Sequence, residues 1–287
     1  MTTFMEQLSA GKKFVTDGAT GTNLQQRGLG LGVAPETWVL ERPQEIVRLQ
    51  RDFIAAGADI ILTCTFGGTR LRLGELAPRA AEVNAQAVAL AKEAAAGTDT
   101  LVAGSIGPTG QMLQPYGPLE ESAAEAAFAE QVRWLAEAGV DLLVVETQFD
   151  IAEAKAALRA ARAAGGWLPL LCSFSYDRGV RTMMGVRPSQ MAAEIGDLAD
   201  VLGINCGRSL DENEKALSEL RAATLKPIWF KPNAGLPRTV GESLVYDVTP
   251  AMMGERAPRW LAAGAQLIGG CCGTSPEHLA EIAKAVK

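Results

Sequence analysis

Short apolar runs and longer amphipathic stretches alternate along the whole chain. Eight runs are rich in Val, Ile, Leu and Phe: KFVT (13–16), DIILT (59–63), TLVAG (100–104), LLVVE (142–146), LPLLCSF (168–174), VLGIN (201–205), PIWFK (227–231) and QLIGG (266–270). They are apolar on both faces, the pattern of parallel strands buried between helices and a core. The stretches between them have helical spacing. In PQEIVRLQRDFIAAG, Ile46, Leu49 and Phe53 recur at three and four residues behind Pro43, which suits a first helical turn. AEAAFAEQVRWLAEAG repeats the pattern. Three junctions share one form, AAGADIIL, EAGVDLLVV and AAGAQLIG, in which Gly57, Gly139 and Gly264 suit the left-handed position just past a helix end. Their spacings are unequal, so the chain reads as recurrent strand–helix units and not as a fixed-period solenoid.

Eight such units in 287 residues predict an α/β fold, a (β/α)8 TIM barrel, in preference to a doubly wound sheet. No Pro/Ser-rich linker or shift of composition divides the chain, so residues 1–287 read as a single barrel domain.

Composition narrows the class. Hydrophobic residues make up 48% and charged residues 21%, as in a folded soluble protein. The net charge of −6, without a basic patch, speaks against a nucleic-acid partner. No apolar run reaches the roughly 18 to 20 residues of a membrane span. The start, MTTFMEQLSAGKKF, lacks the apolar segment of a signal peptide, so the expected setting is cytoplasmic with no membrane contact. Five cysteines, an odd number spread widely, point to metal or thiol chemistry in preference to a disulfide framework.

The chemistry of such a barrel lies where its strands end. There the chain places Asp17 in TDGATGTN, TCTFGG, GSIGPTG, Glu146 with Thr147, Asn205 with Cys206, KPNAG, and finally Cys271 and Cys272. Adjacent residues of an extended strand point to opposite faces, so Cys271 and Cys272 meet at one point only if they lie on a turn. Gly269, Gly270 and Gly273 suit that turn, and the following TSPE supplies an N-cap, Thr274 or Ser275, ahead of Pro276 in the last helix. Three thiolates, Cys206, Cys271 and Cys272, suit Zn²⁺ with one position left open, the arrangement of a catalytic site. The alternatives are packing as small apolar thiols, the expected role of Cys64 and Cys172, or a strained vicinal disulfide between Cys271 and Cys272. His278 in the last helix reads as a surface residue more than as a ligand.

The set DGATGT (17–22), GSIGPTG (104–110), VVETQFD (144–150), GINCG (203–207), KPNAG (231–235) and GGCCGT (269–274) resembles the homocysteine S-methyltransferase family, and most of all the homocysteine-binding module of cobalamin-dependent methionine synthase. The resemblance implies that Cys206, Cys271 and Cys272 hold zinc, that the sulfur of homocysteine completes the tetrahedron, and that methyl transfer to it gives methionine. By the same likeness Asp17 and Glu146 hold the substrate ammonium. Backbone amides of Gly18 to Thr22 suit its carboxylate, and Asn233 suits a displaceable fourth ligand or a substrate contact. Cys64 departs from the pattern, standing where relatives carry asparagine in a TNTF motif. Arg208 and Ser209, beyond Cys206, are candidates to tune the choice of donor.

The expected donor is methylcobalamin on a separate corrinoid protein, the alternative a small donor such as S-methylmethionine or betaine used without a partner. Two other classes compete: a Schiff-base aldolase using Lys231, and a non-catalytic, zinc-stabilised subunit of a methyl-transfer complex.

Overall fold

All eight apolar runs form strands of one parallel sheet, in a computed structural model that describes residues 2–240 and 243–287. The strands are Phe14–Val15 (β1), Ile60–Leu62 (β2), Leu101–Ile106 (β3), Leu142–Gln148 (β4), Leu170–Phe174 (β5), Val201–Cys206 (β6), Ile228–Pro232 (β7) and, after a short hairpin of Arg238–Val240 (β8) with Ser243–Val245 (β9), Ala265–Ile268 (β10). Their spatial order is β1-β10-β7-β6-β5-β4-β3-β2. A parallel bridge from Thr16 to Ile60 joins the two ends and closes the barrel. An aspartate just before a strand helps tie neighbours together: Asp59, Asp141 and Asp200 accept from the amides of Val15, Val102 and Leu170 at 2.7–2.8 Å.

Period-two alternation sorts the interior into layers. Phe14, Ile60, Leu142, Val144, Leu171, Val201, Trp229 and Leu267 form an apolar floor, plugged from below by Phe4 and Leu8 of the helix Phe4–Ser9. Further along the same inward faces stand Ser105, Glu146, Ser173, Asn205 and Lys231, all buried. The barrel is therefore apolar below and polar at the C-terminal ends of its strands.

A second apolar shell lies between strands and helices, where Ile46, Leu49 and Phe53 of Pro43–Ala55 are buried as their spacing requires. Gly57, Gly139 and Gly264 all adopt the left-handed conformation, with φ of 106°, 87° and 95°. No helix among the described residues is long and apolar enough to cross a membrane.

Three differences from the sequence reading stand out. The first strand keeps two residues of its expected four. The hairpin β8–β9 was not expected, because its segments RTV and SLV are too short to carry the two-faced apolar signature of the barrel strands. His278 is buried and not on the surface: its Nδ1 lies 3.1 Å from the amide of Ser275, and its Nε2 lies 3.0 Å from the carbonyl of Val248. It anchors the start of the helix Pro276–Val286 to the segment after β9, and it is not a ligand candidate.

Candidate metal centre and active site

Backbone hydrogen bonds beyond the ends of β6, β7 and β10 fix where the three expected cysteines stand. Asn233 N donates to Cys206 O (3.2 Å), Cys271 N to Pro232 O (2.9 Å) and Ala234 N to Cys272 O (2.9 Å). Asn213, buried in the helix Leu210–Ala223, reaches back to donate to Cys206 O at 2.7 Å. The result is a cluster: ligand atoms of Cys206, Cys271 and Cys272 all lie within 4.8 Å of one another, and the sulfurs of Cys206 and Cys271 are 3.0 Å apart. No disulfide is present among the five cysteines. Cys64 and Cys172 are buried in the shell between strands and helices, where burial pushes both thiols up, so neither adds to the rim.

The pair Cys271–Cys272 sits on a turn, as its adjacency demands. The glycines before it are needed for space more than for backbone freedom. A methyl group on Gly269 would fall 2.1 Å from Thr16 Oγ1 and 2.7 Å from Asp17 O, and one on Gly270 would fall 2.4 Å from Thr274 Oγ1. Gly269→Ala is accordingly expected to lower stability by about 1–3 kcal/mol through forced displacement of the β1 end. Urea unfolding of the variant against wild type measures it, and an unchanged midpoint would contradict this packing.

Three close thiols resist carrying three charges. Cys206 is pushed well up, first by its hydrogen bond with Cys271, then by that with Cys272 and by burial. For Cys271 the bond with Cys206 pulls down, but Cys272 and burial outweigh it and leave the thiol at about 12. Cys272, which both neighbours favour as the anion, is held well below the usual thiol range. A cation placed among them removes that mutual repulsion, which is why a soft divalent ion suits the cluster.

Beside the sulfurs lies a buried charge group. Glu146 Oε1 accepts from Ser105 Oγ at 2.6 Å, and burial, only partly offset by Lys231, raises its carboxyl to about 7. Asp17 is 1% exposed and both its oxygens are engaged: Oδ2 accepts from Leu62 N (2.7 Å) and Oδ1 pairs with Lys231 Nζ (2.5 Å). Burial alone would lower Lys231, but Asp17 and then Glu146 outweigh it and hold the ammonium above its usual range. A Schiff-base nucleophile needs the neutral amine, so this pairing argues against Lys231 as the nucleophile of an aldolase.

The other expected residues are placed as follows. Thr22 Oγ1 accepts from Gly273 N at 3.2 Å, tying the helix Thr20–Gln26 to the cysteine turn. Asn233 donates to Gly207 O at 2.7 Å, while its Oδ1 is buried without a partner. Ser209 caps the helix Leu210–Ala223, and Arg208 borders a cavity of about 350 Å³ shared with Gly235, Leu236, Val248 and Arg256.

Three side chains had no role in the sequence reading. Asn205 is wholly buried and lies 3.4 Å from Cys206 Sγ through its Nδ2. Asn213 was hidden because an asparagine inside a polar helix carries no local signal. Tyr246, beyond the hairpin, lays its ring over Gly273, where any Cβ would fall 2.3 Å from its Cγ. Asn205 was findable: it continues the inward alternation Val201, Gly203, Asn205.

With this geometry in place, comparisons with known proteins agree on one group. The methionine synthases of Mycobacterium leprae and Mycobacterium tuberculosis are each 31% identical to this chain, over 96% and 95% of it. The chain spans about a quarter, 24%, of the length of these relatives. The metallated form of the homocysteine methyltransferase MmuM from Escherichia coli superposes with a TM-score of 0.80 at 27% identity, over 96% of this chain and 97% of that one. The family model for homocysteine S-methyltransferases matches residues 14–286. Since that match runs from the first strand through the last helix, the chain belongs to the homocysteine S-methyltransferase family.

Proposed function

We propose that this chain transfers a methyl group to the thiol of homocysteine, giving methionine, with Cys206, Cys271 and Cys272 as the ligands of a zinc ion. The observation that carries the reading is the convergence of three sulfurs from β6 and the turn after β10 within 4.8 Å, at the polar end of the barrel. The residues fit such an ion in a second respect: Asn233, which follows the end of β7, keeps a buried Oδ1 without a partner that would suit a displaceable oxygen ligand. When bound, the ion supplies a Lewis acid that lets the substrate thiol lose its proton at neutral pH.

The surrounding side chains bind and orient the amino acid. Asp17 and Glu146 are two acids facing one base, Lys231, so the ionised group carries a net negative charge that a substrate ammonium neutralises. Glu146 is its direct contact, with Asp17 acting beside it through Lys231. Thr22 and backbone amides within Gly18–Thr22, where the helix Thr20–Gln26 begins, receive the carboxylate. The substrate sulfur is then left facing the open rim. There the new S–C bond forms as the bond between the methyl group and its donor breaks.

The likeness to methionine synthases supports methylcobalamin on a corrinoid partner as donor. The likeness to the homocysteine methyltransferase MmuM favours the other reading, a small donor such as S-methylmethionine reaching the rim unaided. Incubating the zinc-loaded protein with homocysteine and each donor in turn decides between them. Methionine from at least one donor is expected, and none from either, in protein that binds homocysteine, would contradict the reading.

A further inference from the structure

Among the described residues, the non-glycine positions with positive φ are Thr147 and Cys206, each at 60°. This backbone conformation is unfavourable for a residue with a side chain and persists only where its surroundings hold it. The two residues lie at the ends of β4 and β6; one follows Glu146 and the other is a thiol of the cluster. A single side chain joins them. Asn205 Oδ1 accepts from Thr147 N (3.0 Å) and from Ser173 Oγ (2.7 Å), and its Nδ2 donates to Thr147 Oγ1 (2.7 Å) and towards Cys206 Sγ (3.4 Å) and Cys271 Sγ (3.8 Å). The orientation of the amide follows from its partners: the backbone N–H of Thr147 can only donate, so it must face the oxygen, and the NH₂ group is thereby turned to the sulfurs. Both lone pairs of the oxygen and both hydrogens of the nitrogen have a partner, which leaves the side chain no alternative placement.

We propose that Asn205 is a positioning residue of the metal centre, whose amide holds Cys206 and Thr147 in their left-handed conformations and donates to the sulfur side of the cluster. It thereby keeps the thiols and the Glu146 end of β4 at one fixed spacing, so that an amino acid anchored at Glu146 presents its sulfur where the thiols converge. This inference rests on the proposed zinc centre and concerns a residue outside its ligand set.

The test uses Asn205→Asp, which keeps the shape and the two bonds at Oδ1 but puts an oxygen where the NH₂ faced the sulfurs. Zinc affinity is read by competition with a chromophoric chelator, and the thiolate-to-metal absorption is read on the cobalt(II)-substituted protein. Ser173→Ala is the control, since it removes one bond on the oxygen side only. Asn205→Asp is expected to fold as wild type by circular dichroism, to lose about 10- to 100-fold in zinc affinity and to alter the cobalt spectrum. Ser173→Ala should retain wild-type affinity and spectrum. If the buried carboxylate prevents folding, Asn205→Ala is read in the same titration with the same loss expected. Wild-type zinc affinity in the folded Asn205 variant, or an equal loss in Ser173→Ala, would overturn the inference while leaving the zinc centre standing. A wild-type chain that takes up no metal would overturn the centre itself and this inference with it.

Discussion

Replacing Cys206 by serine is expected to remove bound zinc and to slow methyl transfer to homocysteine about a thousandfold, if the ion supplies roughly 4 kcal/mol of transition-state stabilisation at about 1.4 kcal/mol per tenfold. The reasoning starts from the ligand set. Cys206 is the one member contributed by β6, and without it two neighbouring thiols on a single turn remain, too few to hold the ion. A serine hydroxyl stays protonated at neutral pH and is a poor replacement for a thiolate. The barrel core does not depend on this side chain, which is partly exposed and lies above the apolar floor. The metal-free variant should therefore unfold within about 0.5 kcal/mol of the metal-free wild type. Metal content by mass spectrometry, turnover, and denaturant unfolding of both apo proteins check the three parts. A large loss of apo stability would point to a structural part for Cys206 itself.

Glu146→Gln should separate binding from stability in opposite directions. In the folded protein without metal this carboxyl is raised to about 7 from an ordinary value of 4.5, chiefly by burial. A raised folded value means that the native state holds the proton more tightly than the unfolded chain does. The associated stabilisation is present in full below about 4.5, falls as pH rises, and is gone above about 7. Relative to wild type, the neutral glutamine should gain about 3 kcal/mol in unfolding free energy between pH 4.5 and pH 8. The hydrogen bond from Ser105 can be kept by the amide oxygen. Homocysteine binding should move the other way, weakening about 10- to 100-fold as a charge-assisted contact worth roughly 1.5–3 kcal/mol is lost. Urea titrations at both pH values and isothermal calorimetry with homocysteine measure the two effects. A variant no more stable at pH 8 than wild type, relative to the acid limit, would show that Glu146 is not held at a cost in the apo barrel.

Much of this was legible because the physics involved is local or periodic. Two-faced apolar runs marked every barrel strand, and glycines at helix ends marked three of the helix-to-strand junctions, since each depends on a few neighbouring residues. The cysteines of β6 and of the turn after β10 were assigned to one site because a barrel brings all its strand ends to one face. Other features depend on partners distant in sequence. That Asp17 is committed to Lys231 across 214 residues is a tertiary fact, and it changes Asp17 from an open anchor into half of a buried pair. The burial of His278 depends on a carbonyl 30 residues away, that of Val248. The glycines at 269 and 270 look in sequence like flexibility, whereas the structure requires them for the close approach of β1 and Thr274. Asn205 falls between these cases: its inward direction was readable from alternation, but its partners on β4 and β5 were not.

In the proposed function three thiols hold zinc and leave a position for the sulfur of homocysteine. X-ray absorption at the zinc edge, on protein with and without homocysteine, tests it most directly. The expected result is one zinc per chain whose sulfur neighbours, supplied at first by Cys206, Cys271 and Cys272, increase by one when homocysteine is added. A sulfur count that does not change in protein shown to bind homocysteine, or full activity in protein without metal, would contradict it.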